Sequence, residues 1–247
     1  MTHNRLRYAA GSDVGRSRSK NEDSVFAGEH LLAVADGMGG HGHGEIASSV
    51  AIEALAELEG GPLPDDPEAL VAALDGAVQE AGRRLSEMAA RDPSLARMGT
   101  TITAMLWDGH SRFAVAHVGD SRAYMLRDGA LYQITRDHTL VQSLVDDGQM
   151  SPDQAAKHPG RSLLLRAVET TGLPDPDLSL REALPGDRYL ICSDGLTSVV
   201  GPEQLHHVLT TVEDPQEAVR RLIDLANEAG GPDNISCIVA DVEPVSA

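Results

Sequence analysis

The chain is punctuated by short apolar runs that each meet an aspartate. Leu31-Leu32-Ala33-Val34-Ala35 ends on Asp36, Phe113–Val118 passes through Gly119 to Asp120, and Tyr189-Leu190-Ile191-Cys192-Ser193 ends on Asp194. A fourth aspartate, Asp233, stands just before Ile235-Ser236-Cys237-Ile238-Val239-Ala240. Apolar runs of this length, rich in Val and Ile, predict buried strands. Strand ends that turn carboxylates out of a core would gather oxygens that repel each other unless a cation sits between them. The pattern points to a hard metal ion on a β scaffold.

The remaining pattern fills in the elements. Leu6–Gly11 and Ser24–Ala27 predict short strands around a polar loop, Asp13–Asp23. Glu45–Leu58 turns helical, with Ile46, Val50, Ala54 and Leu58 on one stripe. Asp66-Pro67, an N-cap followed by proline, opens a second helix in which Leu70, Leu74, Val78, Ala81, Leu85 and Met88 keep the helical period. Thr100–Trp107 and Arg112–Val118 flank Asp108-Gly109, and Arg122–Leu126 and Ala130–Ile134 flank Arg127-Asp128-Gly129, both hairpin signals. Residues 138–169 break this rhythm with a short helix at Leu140–Asp147, a capped one starting at Ser151-Pro152 and a His158-Pro159-Gly160 turn. Strands return at Leu178–Leu184, Arg188–Cys192 and Asn234–Val242, and Asp214-Pro215 caps a helix through Ala229. Hairpin-joined strands with segregated helices favour an α+β layered fold over a doubly wound parallel sheet.

Composition narrows the function. The 247 residues suit one domain, and a core that is 41% hydrophobic residues but only 3% aromatic must be built from Ala, Val, Leu and Ile. A net charge of −18 argues against nucleic-acid or anionic-membrane surfaces. Cys192 and Cys237 lie in apolar runs and are expected as buried, reduced thiols. No run approaches the ~18 apolar residues of a membrane span, and the polar N-terminus lacks a signal-peptide core. A cytoplasmic chain is expected, as a monomer.

The chemistry-bearing segments each admit a plainer role when taken singly. Asp36-Gly37-Met38-Gly39-Gly40 could ligate a metal through carboxylate and carbonyl, form a tight turn, or cradle a phosphate, although neither Gly-Lys-Ser/Thr nor G-x-G-x-x-G spacing is present. Asp120, Asp194 and Asp233 are each compatible with ordinary turns. Oxygen-only donors would select Mg²⁺ or Mn²⁺ over zinc, and the histidines, including His41 and the His206-His207 pair on an expected surface helix, do not cluster. Arg16, Arg18 and Lys20 precede Asn21-Glu22-Asp23 as either a surface ion-pair cluster or an anion-binding arginine beside a metal ligand.

Taken together and in order, Arg18–Asp23, Asp36–His41, Gly99-Thr100-Thr101, Val118–Arg122, Ser193-Asp194-Gly195 and Gly231–Asn234 resemble the PPM (type-2C) metal-dependent protein serine/threonine phosphatases of bacteria, from about Tyr8 to Val242. The resemblance implies a four-layer α-β-β-α sandwich with two central, mostly antiparallel sheets and a small helical flap at 138–169. It implies two core Mn²⁺ or Mg²⁺ ions and a third. Asp36 would bridge the core pair, Asp194 and Asp233 would complete one site, and the Gly37 carbonyl with Glu22 would serve the other. Asp120 with Asp194 would hold the third ion. Arg18 would hold the phosphate, with Asp23, His41 and Ser162 as accessory residues. The implied reaction is hydrolysis of phosphoserine and phosphothreonine by a metal-activated water, on phosphoprotein substrates of a Ser/Thr kinase system. The alternative is a catalytically silent binding module of the same fold. Met38 replaces a histidine found in eukaryotic relatives, and Ser198 stands where many relatives carry an aspartate near the third metal.

Overall fold

A computed structural model describes residues 4–39 and 43–245. In chain order, the first strands are β1 (Asn4–Asp13), β2 (Asp23–Ala27) and β3 (Leu31–Met38), followed by helices α1 (Gly44–Ala56) and α2 (Pro67–Arg91). Strands β4 (Gly99–Thr100), β5 (Ile102–Trp107), β6 (Arg112–Val118), β7 (Arg122–Arg127) and β8 (Ala130–Gln133) come next. The flap carries α3 (Leu140–Asp146) and α4 (Pro152–Ala156) and leads into β9 (Val168–Glu169). Then come β10 (Asp177–Glu182), β11 (Arg188–Cys192), α5 (Asp194–Thr197), α6 (Pro202–Thr211), α7 (Pro215–Glu228) and β12 (Ile235–Pro244).

The strands form two sheets, β1-β12-β11-β7-β8 and β10-β6-β5-β3-β4-β9, with β2 paired to β3. Their pairings are antiparallel. The expected layers follow from side-chain alternation along each strand. In β3, Leu31, Ala33 and Ala35 face α1 and α2, where Leu55, Leu74 and Leu85 cover them. Leu32 and Val34 face the other way, into the space between the sheets, with Trp107, Phe113, Tyr189 and Ile238. Leu190, Cys192 and Val239 of the other sheet pack under α7 with Val219 and Leu222. Burial on both faces is why these strands carry apolar runs rather than alternating polar positions. The few aromatics are spent between the sheets, where Phe113 stacks on Trp107 at 4.8 Å and meets Tyr189 edge-on at 5.0 Å.

Some boundaries differ from the pattern-based expectation. The run ending at Asp36 continues to Met38, because Gly37 and Met38 pair with Thr100 and Gly99. The strand expected from Thr100 to Trp107 breaks at Thr101, where the Asp36 N–H donates to Thr101 Oγ1 at 3.0 Å and the Thr101 carbonyl accepts from Thr100 Oγ1 at 3.0 Å. Strand β10 ends after Glu182: the Ala183 N–H still bonds in register to Ser111 O at 2.8 Å, but the Leu184 N–H turns to Asp187 Oδ2 at 2.7 Å. The short elements β9 and α5 have too few residues to show a period. Cys192 and Cys237 are free and buried, as expected. No helix of the described residues is long and apolar enough to cross a membrane.

Candidate metal centre

Four of the marked aspartates reach one end of the two sheets from different elements. Asp36 lies on β3 of the larger sheet, Asp194 opens α5 just after β11, and Asp233 just precedes β12. Asp120 sits where the chain crosses from β6 in one sheet to β7 in the other. Side-chain hydroxyls hold the Asp36 backbone. The Asp36 N–H donates to Thr101 Oγ1 at 3.0 Å, and its carbonyl accepts from Thr100 Oγ1 at 3.0 Å. Thr101 Oγ1 in turn lies 2.7 Å from Ser121 Oγ, beside Asp120. The Gly99-Thr100-Thr101 motif therefore clamps the strand that presents Asp36. At Gly37 a Cβ would fall 2.0 Å from Gly44 O and 2.5 Å from Glu22 O. Only glycine permits that approach, through which the Gly37 N–H donates to Glu22 O at 3.1 Å.

Asp36, Asp120, Asp194, Asp233, Glu22 and Arg18 line a single cavity of about 650 Å³. Gly37, Met38 and Ser162 share its wall. The carboxylates are half-buried and strongly coupled in charge. Desolvation pushes the Asp36 carboxyl well above its usual range, and Asp23, Asp194, Asp120 and Asp233 each push it further. Desolvation and then Asp194 raise Asp120 to about 7. Asp194 is raised by desolvation and by Asp233. Among the described residues no three such side chains are already grouped into a cage that could hold an ion. The donor chemistry nevertheless fits a hard divalent cation, because the set is all oxygen, desolvated and mutually repelling. Buried Glu22 Oε1 and Asp23 Oδ1 also lack any hydrogen-bond partner.

The other marked residues divide. Arg18 is exposed at the rim and donates to Asp233 Oδ2 at 2.8 Å, so it belongs to the site, while Lys20 instead faces Glu45 at 3.8 Å. Asp23 is buried opposite Asp36 in the β2–β3 register and does not line the cavity. Desolvation raises it to about 6 against the bonds that Ser236 and Ser193 supply. Ser193 Oγ donates to its Oδ2 at 2.8 Å. Ser162 and Asp120 also border an adjoining cavity of about 400 Å³ that holds Ser198, Asp137 and Arg122. His41 lies outside the described residues.

Sequence reasoning missed the polar residues that hold these groups, although several are sequence neighbours of the aspartates: Ser121 after Asp120, Ser193 before Asp194 and Asn234 after Asp233. It also missed His138. That ring accepts from the Gly119 N–H at 3.1 Å through Nδ1, so its proton sits on Nε2 and faces Asp177 at 3.0 Å. The flap is thereby tied to the segment that carries Asp120.

A family model described as protein phosphatase 2C matches residues 10–234. The serine/threonine protein phosphatase PstP of Mycobacterium tuberculosis is 50% identical over 238 residues, covering 96% of this chain and 45% of PstP. The chain thus spans about half the length of that relative. The serine/threonine phosphatase stp of Listeria monocytogenes is 34% identical over 241 residues, covering 93% of each chain. The crystal structure of the catalytic domain of PstP in complex with two manganese ions superposes with a TM-score of 0.90 at 47% identity, covering 97% of this chain and 99% of that one. Sheet order, layer order and the family match from residue 10 to residue 234 agree, and the chain belongs to the protein phosphatase 2C family.

Proposed function

We propose that this chain hydrolyses phosphoserine and phosphothreonine in proteins, using Mn²⁺ or Mg²⁺. The observation that carries the proposal is the convergence of Glu22, Asp36, Asp120, Asp194, Asp233 and Arg18, from separate chain segments, on a single cavity. The manganese in the similar PstP catalytic domain supports the choice of ion. In this assignment Asp36 would serve both core ions, and Asp194 and Asp233 would complete one site. Glu22 and the Gly37 carbonyl serve the other, and Asp120 with Asp194 a third. Divalent ions so held supply a water that ionises near neutral pH and positive charge to offset that developing on the phosphoryl oxygens.

The protein's own groups do the rest. Arg18 presents a planar fork suited to two phosphate oxygens, and its exposure lets it swing from Asp233 onto a ligand. Both cysteines are buried, so neither thiol reaches a substrate; free thiols also suit a reducing compartment such as the cytoplasm. Leu163, Leu165 and Leu173 line the same cavity and are exposed to 55%, 55% and 83%. An apolar rim beside a phosphate site suits the side chains that flank a phosphorylated residue in a peptide, which supports phosphoproteins, including those of a Ser/Thr kinase system, over small phosphate esters. The test is release of phosphate from phosphoserine and phosphothreonine peptides in Mn²⁺ and in EDTA. Rates that are equal in the two conditions would overturn the proposal.

A further inference from the structure

Arg18 and Glu22 lie outside any strand, on the stretch between β1 and β2, yet both must stand at a fixed place relative to Asp233. The residue after Asp233 is placed to arrange this. Asn234 is buried, and its side-chain amide is bonded on every side. Its Oδ1 accepts from the Glu22 N–H at 2.9 Å. Its Nδ2 donates to Val14 O at 2.9 Å and to Lys20 O at 2.8 Å. Turning the amide over would set its oxygen against two carbonyls and its NH₂ against an N–H, so the partners fix its orientation. The backbone joins in. The Asn234 N–H donates to Asp233 Oδ1 at 2.9 Å, and a Cβ on Gly195, the residue after Asp194, would fall 1.8 Å from the Asn234 carbonyl.

We propose that Asn234 is a positioning residue that sets the Arg18 loop and Glu22 against Asp233. The two carbonyls it clamps, Val14 and Lys20, are the ends of the loop, and Arg18 projects between them. Gly231 O holds the middle, accepting from the Arg16 N–H at 2.7 Å and the Ser17 N–H at 3.1 Å. One side chain therefore couples the phosphate-holding guanidinium to carboxylates assigned to two different cation sites. The kinetic side of this inference rests on the phosphatase function proposed above, whereas the loop-holding side does not.

The test is Asn234→Asp, which keeps the shape and the acceptor for Glu22 but replaces both donors with an acceptor facing Val14 O and Lys20 O. Trypsin should then cut after Arg16, Arg18 or Lys20 on the order of tenfold faster than in the parent protein, with cleavage elsewhere unchanged. In Mn²⁺ the KM for p-nitrophenyl phosphate should rise on the order of tenfold, with a smaller fall in kcat. Arg18→Ala, expected by itself to raise KM, should add little in the Asn234→Asp background. Unchanged cleavage of the loop, or KM penalties that multiply in full, would overturn the inference. If Asn234→Asp fails to fold by its melting curve, Asn234→Ser removes the amide without adding charge and carries the same comparisons. A parent protein inactive in Mn²⁺ would sink the phosphatase proposal and leave the trypsin comparison to decide this one.

Discussion

Four acids press on Asp36 in addition to desolvation, which is the larger cause. In the metal-free protein its raised pKa, with Asp23 at about 6 and Asp120 at about 7, gives a definite pH dependence. Below about pH 4 these groups are protonated both folded and unfolded, and their contribution to stability is fully present. As pH rises through 6 and 7 the folded form must ionise against its neighbours, and that contribution is lost. Asn at 36 cannot ionise. Asp36→Asn should therefore raise the Tm of the metal-free protein by an amount that grows from pH 5 to pH 8, reaching a few degrees at about 2–4 °C per kcal/mol. In Mn²⁺ the same variant should lose kcat on the order of 10³-fold or more. A Tm difference that is flat with pH, or an unchanged kcat, would remove Asp36 from its bridging place. Arg18 is predicted to behave differently, since it is exposed and its ion pair with Asp233 lies at the rim. Arg18→Ala should raise KM for phosphate esters on the order of tenfold with little change in Tm, and Arg18→Lys should recover only part of it, having charge without the fork. Initial-rate kinetics with melting curves check both.

At the scale of elements, the flap illustrates what a single sequence can and cannot convey. Its helix α4 was legible because Ser151 caps it, and the structure adds a reciprocal Ser151–Gln154 box there and a Thr139 cap on α3. The sandwich strands were legible because burial on both faces leaves apolar runs that polar loops interrupt. The aspartates were legible because each run stops on one. What was not legible is whatever depends on contacts between distant segments. Thr100 and Thr101 look like ordinary strand residues until β4 turns them onto Asp36. His138 looks like any loop histidine until its ring meets Gly119, and Asn234 until it meets Val14 and Lys20. Element ends moved for the same reason, as at Thr101. The flap's apolar rim belongs to this class, since nothing in the order Leu163, Leu165, Leu173 marks them as neighbours of the acids. If they seat the residues beside a phosphoserine, replacing Leu165 and Leu173 with Ala should raise KM for a phosphopeptide with aliphatic flanking residues severalfold more than KM for p-nitrophenyl phosphate, with the loss of apolar contact setting the scale. Equal changes for the two substrates would confine recognition to the phosphate.

For the molecule as a whole, the site lies at one end of the two sheets, and its acidic residues come from both. Asp36 belongs to the larger sheet, while Asp194 and Asp233 flank strands of the smaller one. The cores on either side are closed by their own helices, so the acidic end is the region where a chain of net charge −18 strains most against itself. A cation held there binds the folded form only, and folding and binding are then linked. Mn²⁺ at a hundredfold its Kd should stabilise the protein by about 2.7 kcal/mol per independent site, or roughly 5–10 °C in Tm, and EDTA should reverse the gain. The linkage also fixes a sign with pH. Carboxyls with raised pKa values hold protons at pH 6 that Mn²⁺ must displace, whereas at pH 8 they are ionised and repelling. Mn²⁺ should therefore raise Tm more at pH 8 than at pH 6, and binding should release protons at pH 6 and few at pH 8. Calorimetric titration in two buffers of different ionisation enthalpy measures that release directly. Asp36→Asn should shrink both the Tm gain and the proton release, because it removes the group on which the repulsion centres. If Mn²⁺ shifted Tm equally at the two pH values and released no protons at pH 6, the cation would have to be bound elsewhere than among these carboxylates.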